Sequence, residues 1–473
     1  MYSTEIIQMA TAFCIYFAFL FSIGFYFYKT TKTESDFALG GRKVNYWLTA
    51  ISAQASDMSD WLFMGFPGIV YAFGFSEIWM AVGLSFFMWM TWQFIAPRLR
   101  LLTEHHNTLT LASFFKIRFK SPHNHIRIAS GLICLYFFTF YIAAGLIGLG
   151  RVFESAFSIN YHIGIVAGLC ITLLYTSLGG LMAIAWSDLF QGTFLLGAVL
   201  IVPLYVIFHI LGGPASFLHQ LSELPAQYLS IIPPTGYSAL LSTIFAIMAW
   251  GIGYFGQPHI LVNFMSIDET EKIKKAKIVG LSWQLLALLG AILTGIVGRI
   301  FVAHLGIENR ELVFITMVKT VFTPFFAGII LCAVLSATIS TINIQTLISA
   351  SLLSHDLFGS FKTFKNESSK LLFQRLSIIF IPLISLYIAW NEHYGVMDTV
   401  YYAWAGLGSA FGPLVILALY TNSLSHIAAL CGLLTGAGIA MWWPLLASPI
   451  PTLVAGFAVN FLVAFTVNKI VKK

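Results

Sequence analysis

The sequence predicts an all-α polytopic membrane protein, and three observations carry that expectation. Apolar runs of spanning length recur along the whole chain, only 9% of its 473 residues are charged, and the basic residues fall in alternate intervals between runs. Soluble domains carry roughly 25% charged residues. Here 58% of residues are hydrophobic and the mean hydropathy is +0.85.

A helix needs about 20 apolar residues to cross a bilayer. Dividing the chain where such runs meet polar or Gly/Pro breaks gives about thirteen spans, near 6–28, 46–66, 72–97, 128–150, 161–180, 188–210, 238–262, 278–304, 321–350, 371–391, 397–421, 425–446 and 450–469. No polar block is large enough for a separate soluble domain, so one membrane domain over 1–473 is expected. The first run has no basic stretch before it and exceeds the core of a cleavable signal, which makes it a retained helix. Cys14, Cys134, Cys170, Cys332 and Cys431 stand singly in apolar segments without pairing or ligand spacing, as buried, inert thiols do.

Lysine and arginine favour cytoplasmic loops. With the N-terminus outside, the inner segments hold Lys29, Lys32, Arg42 and Lys43; Arg98, Arg100, Lys116, Arg118, Lys120 and Arg127; Lys272, Lys274, Lys275 and Lys277; Lys362, Lys365, Lys370 and Arg375; and Lys469, Lys472 and Lys473. Arg151, Arg299, Arg310 and Lys319 fall outside, and the polar loop 211–237 has no basic residue. An odd number of spans with the C-terminus inside follows. The net charge of +6 is therefore topological and argues for no nucleic-acid partner.

Two spans read as interrupted. In ISAQASDMSDWLFMGFPG, residues 51–68, Ser52, Ser56, Asp57, Ser59 and Asp60 precede Gly65, Pro67 and Gly68, and no lysine or arginine lies between Lys43 and Arg98 to pair the acids. In MAWGIGYFGQPHILVNFM, residues 248–265, Gly251, Gly253, Gly256 and Pro258 sit inside one apolar run. These are the second and seventh spans. Irregular backbone at membrane depth is tolerated where it lines a protein-enclosed cavity. Paired breaks at corresponding positions of two five-helix halves point to an inverted-repeat transporter with its site at the midplane. Broken ends offer free N–H groups to a carboxylate and free carbonyls to a cation. Close helix packing at the glycines and a proline kink are the alternative reading.

In LCAVLSATISTINIQTLISA, residues 331–350, Ala337, Ser340 and Thr341 share one helix face. Two hydroxyls and a carbonyl form part of an oxygen shell for a small hard cation, although such hydroxyls commonly bond the carbonyl one turn back. A bound Na⁺ would compensate Asp57, since an ionised aspartate at mid-membrane costs ~2.5–3.5 kcal/mol.

Seven stretches in order, ALGGRK, ASDMSDWLFMGFPG, GRVFES, LYTSLGGLMAIAWSD, WGIGYFGQPHI, SATISTINIQ and YAWAGLGSAFGP, resemble the sodium:solute symporter family, most closely its proline-transporting members. The resemblance runs from about residue 20 to 420. It implies a LeuT-like 5+5 inverted-repeat core over about 46–421, an extra N-terminal helix at 1–28, and two extra C-terminal helices in 425–473. It implies Na⁺ held by the carbonyls of Ala55, Met58 and Ala337 and the hydroxyls of Ser340 and Thr341, with Asp57 and Ser59 adjacent. It implies a substrate site at Trp61, Tyr141, Trp250, Tyr254 and Pro258, where aromatic faces suit a pyrrolidine ring and its ammonium. Arg42 and Asp188 resemble residues of the inner ion pathway.

The function implied is Na⁺-coupled uptake of L-proline across a bacterial cytoplasmic membrane by alternating access. The alternative is another small solute, such as pantothenate, a different amino acid, a sugar or an organic acid. Na⁺ is the coupled ion, with no organic cofactor and no obligatory protein partner beyond solute and lipid. An enzyme is not expected, because His105, His106, His123 and His125 have only Glu104 as a nearby acid. Two positions depart from the family pattern: Asp60 stands where glycine is usual, and Asn263 where a basic residue is expected.

Overall fold

A computed structural model describes residues 2–234, 239–359 and 366–471. Lys362, Lys365, Lys472 and Lys473, part of the 211–237 loop and the first residue of the 238–262 span lie outside them. The helices that position the site are α1 (Tyr2–Tyr28), α2 (Tyr46–Ala55), α3 (Gly65–Phe73), α4 (His125–Phe157), α5 (Tyr161–Tyr205), α6 (Leu240–Met248), α7 (Pro258–Ser266), α8 (Ile273–Phe301), α9 (Pro324–Ser351) and α10 (Val396–Tyr420). Every expected span contains helix. Among the described residues ten helices are long and apolar enough to cross a membrane, eleven with the bent pair Leu240–Gly256 and Pro258–Ser266.

The first break lies earlier than its glycines and proline suggest. Ser56–Met64 is unwound, whereas Gly65, Pro67 and Gly68 fall within the first turn of α3. Pro67 is tolerated there because the first N–H groups of a helix need no intrahelical acceptor. Ser59 is extended, with φ −77° and ψ −156°. Gly68 serves the packing reading instead: a Cβ there would meet the Arg310 carbonyl oxygen at 2.9 Å.

The second break combines both readings. Ala249–Gly256 is a 3₁₀ stretch, and the chain turns by 48° into α7, with Pro258 at its start. A Cβ on Gly253 would lie 2.1 Å from Trp404 Nε1, and one on Gly256 would lie 2.4 Å from the Gly412 nitrogen. Unwinding here depends on α10 pressing against bare backbone.

α5 runs through both the fifth and sixth expected spans and is interrupted at Gly180, with φ 63° and ψ −166°. A side chain there would strike Phe37 Cα at 2.9 Å. The thiols divide: Cys134 and Cys332 are buried, whereas Cys14 and Cys170 are exposed on apolar helices, correcting the expectation that all are buried.

The broken pair is fastened at one end, and its neighbours α4 and α10 are fastened at the other. At one end Val44 pairs with the close of α7: its N–H donates to Ser266 at 3.2 Å and its carbonyl accepts from Asp268 N–H at 2.8 Å. At the other end Glu311 accepts from the Val396 and Met397 N–H groups at 3.2 and 3.1 Å, capping α10, and it pairs with Arg151.

Candidate functional site

The unwound Ser56–Met64 segment frees two carbonyls. In a continuous helix the N–H groups of Ser59 and Leu62 would bond Ala55 and Met58; here they bond Asp57 at 2.9 Å and Ser59 at 3.1 Å. The Trp61 indole donates to the Asp57 carbonyl at 2.9 Å and pins the turn. The Ala55 and Met58 carbonyls thus lack their usual helical donors.

Asp57, within this turn, and Asp188 of α5 are both fully buried. Tyr254, from the second break, donates its hydroxyl to Asp57 Oδ2 at 2.6 Å, and Gln284 of α8 donates to Tyr254 at 3.3 Å. The other Asp57 oxygen has no hydrogen-bond partner. Asp188 of α5 takes the Ser52 hydroxyl at 2.5 Å on one oxygen and the Ser340 hydroxyl at 2.6 Å on the other. It therefore joins α2 to α9, and a Cβ on Gly192, one turn along α5, would lie 3.3 Å from the Ala55 Cβ.

The other hydroxyl of the α9 face takes the local bond: Thr341 donates to the Ala337 carbonyl at 3.2 Å. Both hydroxyl oxygens keep acceptor lone pairs after donating. Serine, threonine and free carbonyl oxygens beside two carboxylates form a donor set that a hard cation requires.

The aromatic residues gather around the second break. The Trp61 and Trp250 rings are 6.5 Å apart, and Tyr254 meets Trp404 edge-on at 5.1 Å. Tyr141 of α4 meets His259 edge-on at 5.3 Å. Pro258, next to His259 at the start of α7, lines a cavity of about 30 Å³ with Ser130, Cys134, Ile348 and Ser351. Arg42 lies apart, at the fastened end, where it donates to the carbonyls of Met265, Thr103 and Thr108 at 2.7, 3.0 and 2.8 Å. Burial and the neighbouring Arg100 lower its pKa to about 10, so it remains charged at neutral pH.

Two site residues escape sequence reasoning. His259 is fully buried with neither ring nitrogen bonded, and Trp404 donates to the Trp250 carbonyl at 2.8 Å. Both lie inside quoted motifs, but neighbours within a motif do not reveal which side chain turns inward.

The family model described as "Sodium:solute symporter family" matches residues 37–436. The chain belongs to the sodium:solute symporter family. This symporter is 38% identical to the sodium/proline symporter 2 of Staphylococcus saprophyticus and 37% identical to the sodium/proline symporter of Staphylococcus aureus, in each case over 97% of this chain and 92% of the relative. Its fold matches the substrate-bound, outward-open structure of a Na⁺-coupled sialic acid symporter at a TM-score of 0.82 and 18% identity, covering 98% of both chains. It also matches MhsT in complex with L-phenylalanine at a TM-score of 0.57 and 12% identity, covering 90% of this chain and 98% of the other. The expected LeuT-like fold is thereby met, and the symporter is a multi-pass membrane protein coupled to Na⁺.

Proposed function

We propose that this symporter carries L-proline into the cell with Na⁺. The relatives named sodium/proline symporters, matched over nearly the whole chain, support the substrate. The observation that carries the mechanism is the pairing of Asp57 with Tyr254, because it links the ion-side turn of one broken helix to the aromatic cluster of the other. Sodium is held by the carbonyls of Ala55, Met58 and Ala337 and the hydroxyls of Ser340 and Thr341, with Asp57 and Asp188 supplying charge. Proline packs against Trp61, Tyr141, Trp250, Tyr254 and Pro258. Ion binding positions the Asp57 turn, and Tyr254 transmits that position to the solute side.

The N-terminus is outside and the C-terminus inside, with about thirteen spans, a ten-helix core over about 46–421 and flanking helices at both ends. Arg42 then lies on the cytoplasmic side and closes the inner path, while Arg151 and Glu311 close the outer one. Alternating access releases one fastening at a time. Each Na⁺ contributes ~2.3 kcal/mol per 100 mV of membrane potential. The chain is a transporter rather than an enzyme, with solute and lipid as its partners.

Radiolabelled L-proline uptake into proteoliposomes, with and without an inward Na⁺ gradient, tests this reading. Gradient-dependent accumulation competed by unlabelled proline is expected. Absence of proline uptake, alongside Na⁺-dependent protection of a single-cysteine label near Ser340, would retain the symporter and discard proline.

A further inference from the structure

Asp60 is a second buried carboxylate in the first break that the ion site does not use. It is fully buried, and neither oxygen has a hydrogen-bond partner. Among the described residues no lysine, arginine or histidine forms a salt bridge with it. The Tyr141 hydroxyl on α4 is likewise buried without a hydrogen-bond partner. The Ser59 hydroxyl and the Trp61 N–H are its nearest donors, and the Glu311 carboxylate lies within electrostatic reach; a buried carboxylate with no cation to pair it is costly. A cationic group is the missing partner.

The surroundings of Asp60 indicate which cation. Its Oδ2 rests against Gly148 of α4, where a Cβ would lie 2.0 Å away. Tyr141 is two turns earlier on that helix and lies within electrostatic reach of both Asp57 and Asp60. Trp61 follows Asp60 directly, with Trp250 beyond it. A Na⁺ ion requires several oxygens, and these collect on the Asp57 and Asp188 side. The Trp61 indole and the Tyr141 ring near Asp60 suit an ammonium: its N–H groups bond the carboxylate while its charge faces an aromatic ring.

We propose that Asp60, seated against the bare backbone of Gly148, determines specificity by binding the ammonium of the transported amino acid. The inference rests on the amino-acid reading of the site. It gives the two carboxylates of the first break separate tasks, with Asp57 serving the ion and Asp60 the solute.

The test compares wild type, Asp60→Asn and Gly148→Ala in proteoliposomes, using radiolabelled proline competed by proline or by tetrahydrofuran-2-carboxylate, in which oxygen replaces the ring nitrogen. Wild type should reject the oxygen analogue by about a hundredfold or more, since a site that bonds an N–H leaves its own groups unpaired without it. Asp60→Asn should raise half-saturating proline at least about tenfold, reduce that discrimination to a few-fold, and leave half-saturating Na⁺ unmoved. Gly148→Ala, which displaces the carboxylate without removing it, should show the same loss and serves if Asp60→Asn does not reach the membrane. Unchanged discrimination in the variants, or a changed Na⁺:proline ratio with discrimination intact, overturns the proposal; the latter outcome makes Asp60 an ion site. If wild type takes up no proline, the amino-acid reading is separately decided by thermal stabilisation of the detergent-purified protein across amine-bearing and amine-free carboxylic acids. Stabilisation by amine-bearing compounds that is lost in Asp60→Asn supports the assignment. Stabilisation by amine-free acids, or by neither class, counts against it.

Discussion

Ser340 donates its hydroxyl to Asp188 at 2.6 Å, and this bond fastens the middle of α9 to α5 at the level where α2 ends. Ser52 completes the arrangement on the other oxygen. Asp188→Asn replaces one acceptor oxygen with a donor that faces a hydroxyl already oriented to donate. Half-saturating Na⁺ for uptake should rise about tenfold or more, because a hydrogen bond to a charged group is worth ~1.5–3 kcal/mol. Sodium titration of proline uptake measures this, and an unmoved titration would separate Asp188 from the ion site.

The Tyr254 hydroxyl connects Asp57 to the second break. Tyr254→Phe keeps the ring against Trp404 and removes only the bond. Both half-saturating Na⁺ and half-saturating proline should rise, each by roughly tenfold. Asp57→Ala should abolish Na⁺-driven uptake while the protein still reaches the membrane. Normal uptake by Asp57→Ala at ordinary Na⁺ concentration would remove this aspartate from the ion site.

Arg42 holds three carbonyls from two segments through two nitrogens of one planar fork, a spread that the single nitrogen of an ammonium does not reproduce. Arg42→Lys should therefore resemble Arg42→Ala more than wild type. Each should speed modification of a Ser56→Cys probe from the inner side by about tenfold, as the population shifts toward an inward-open form. Labelling rates in a background lacking the native cysteines report this, and equal rates would exclude a closing role for Arg42.

Glycines of the second break should differ in kind. At Gly256 an added Cβ meets the Gly412 backbone, so Gly256→Ala should lower the amount of folded protein. At Gly253 the clash is with the Trp404 indole, a side chain that swings aside only by losing its bond to Trp250. Gly253→Ala should accumulate normally and lose uptake. Membrane abundance and uptake, measured together, distinguish the two; equal abundance of both variants would contradict the backbone argument.

Hydropathy, charge placement and the position of breaks are local properties, and they sufficed for an all-α membrane protein interrupted in its second and seventh spans. The sequence by itself also placed Ala337, Ser340 and Thr341 on one face, because helical spacing alone decides that. It placed the first break within residues 51–68 but not its bounds: Pro67 reads as a breaker, yet at the start of α3 its missing N–H costs nothing, and the break is the Ser/Asp segment before it. Packing decided that Ser340 bonds Asp188, that Tyr254 reaches Asp57, that His259 and Trp404 enter the aromatic cluster, and that Asp60 rests on Gly148. Each of these joins segments far apart in the chain. Periodicity specifies which side chains share a face, whereas the partner opposite that face is set by how the helices pack.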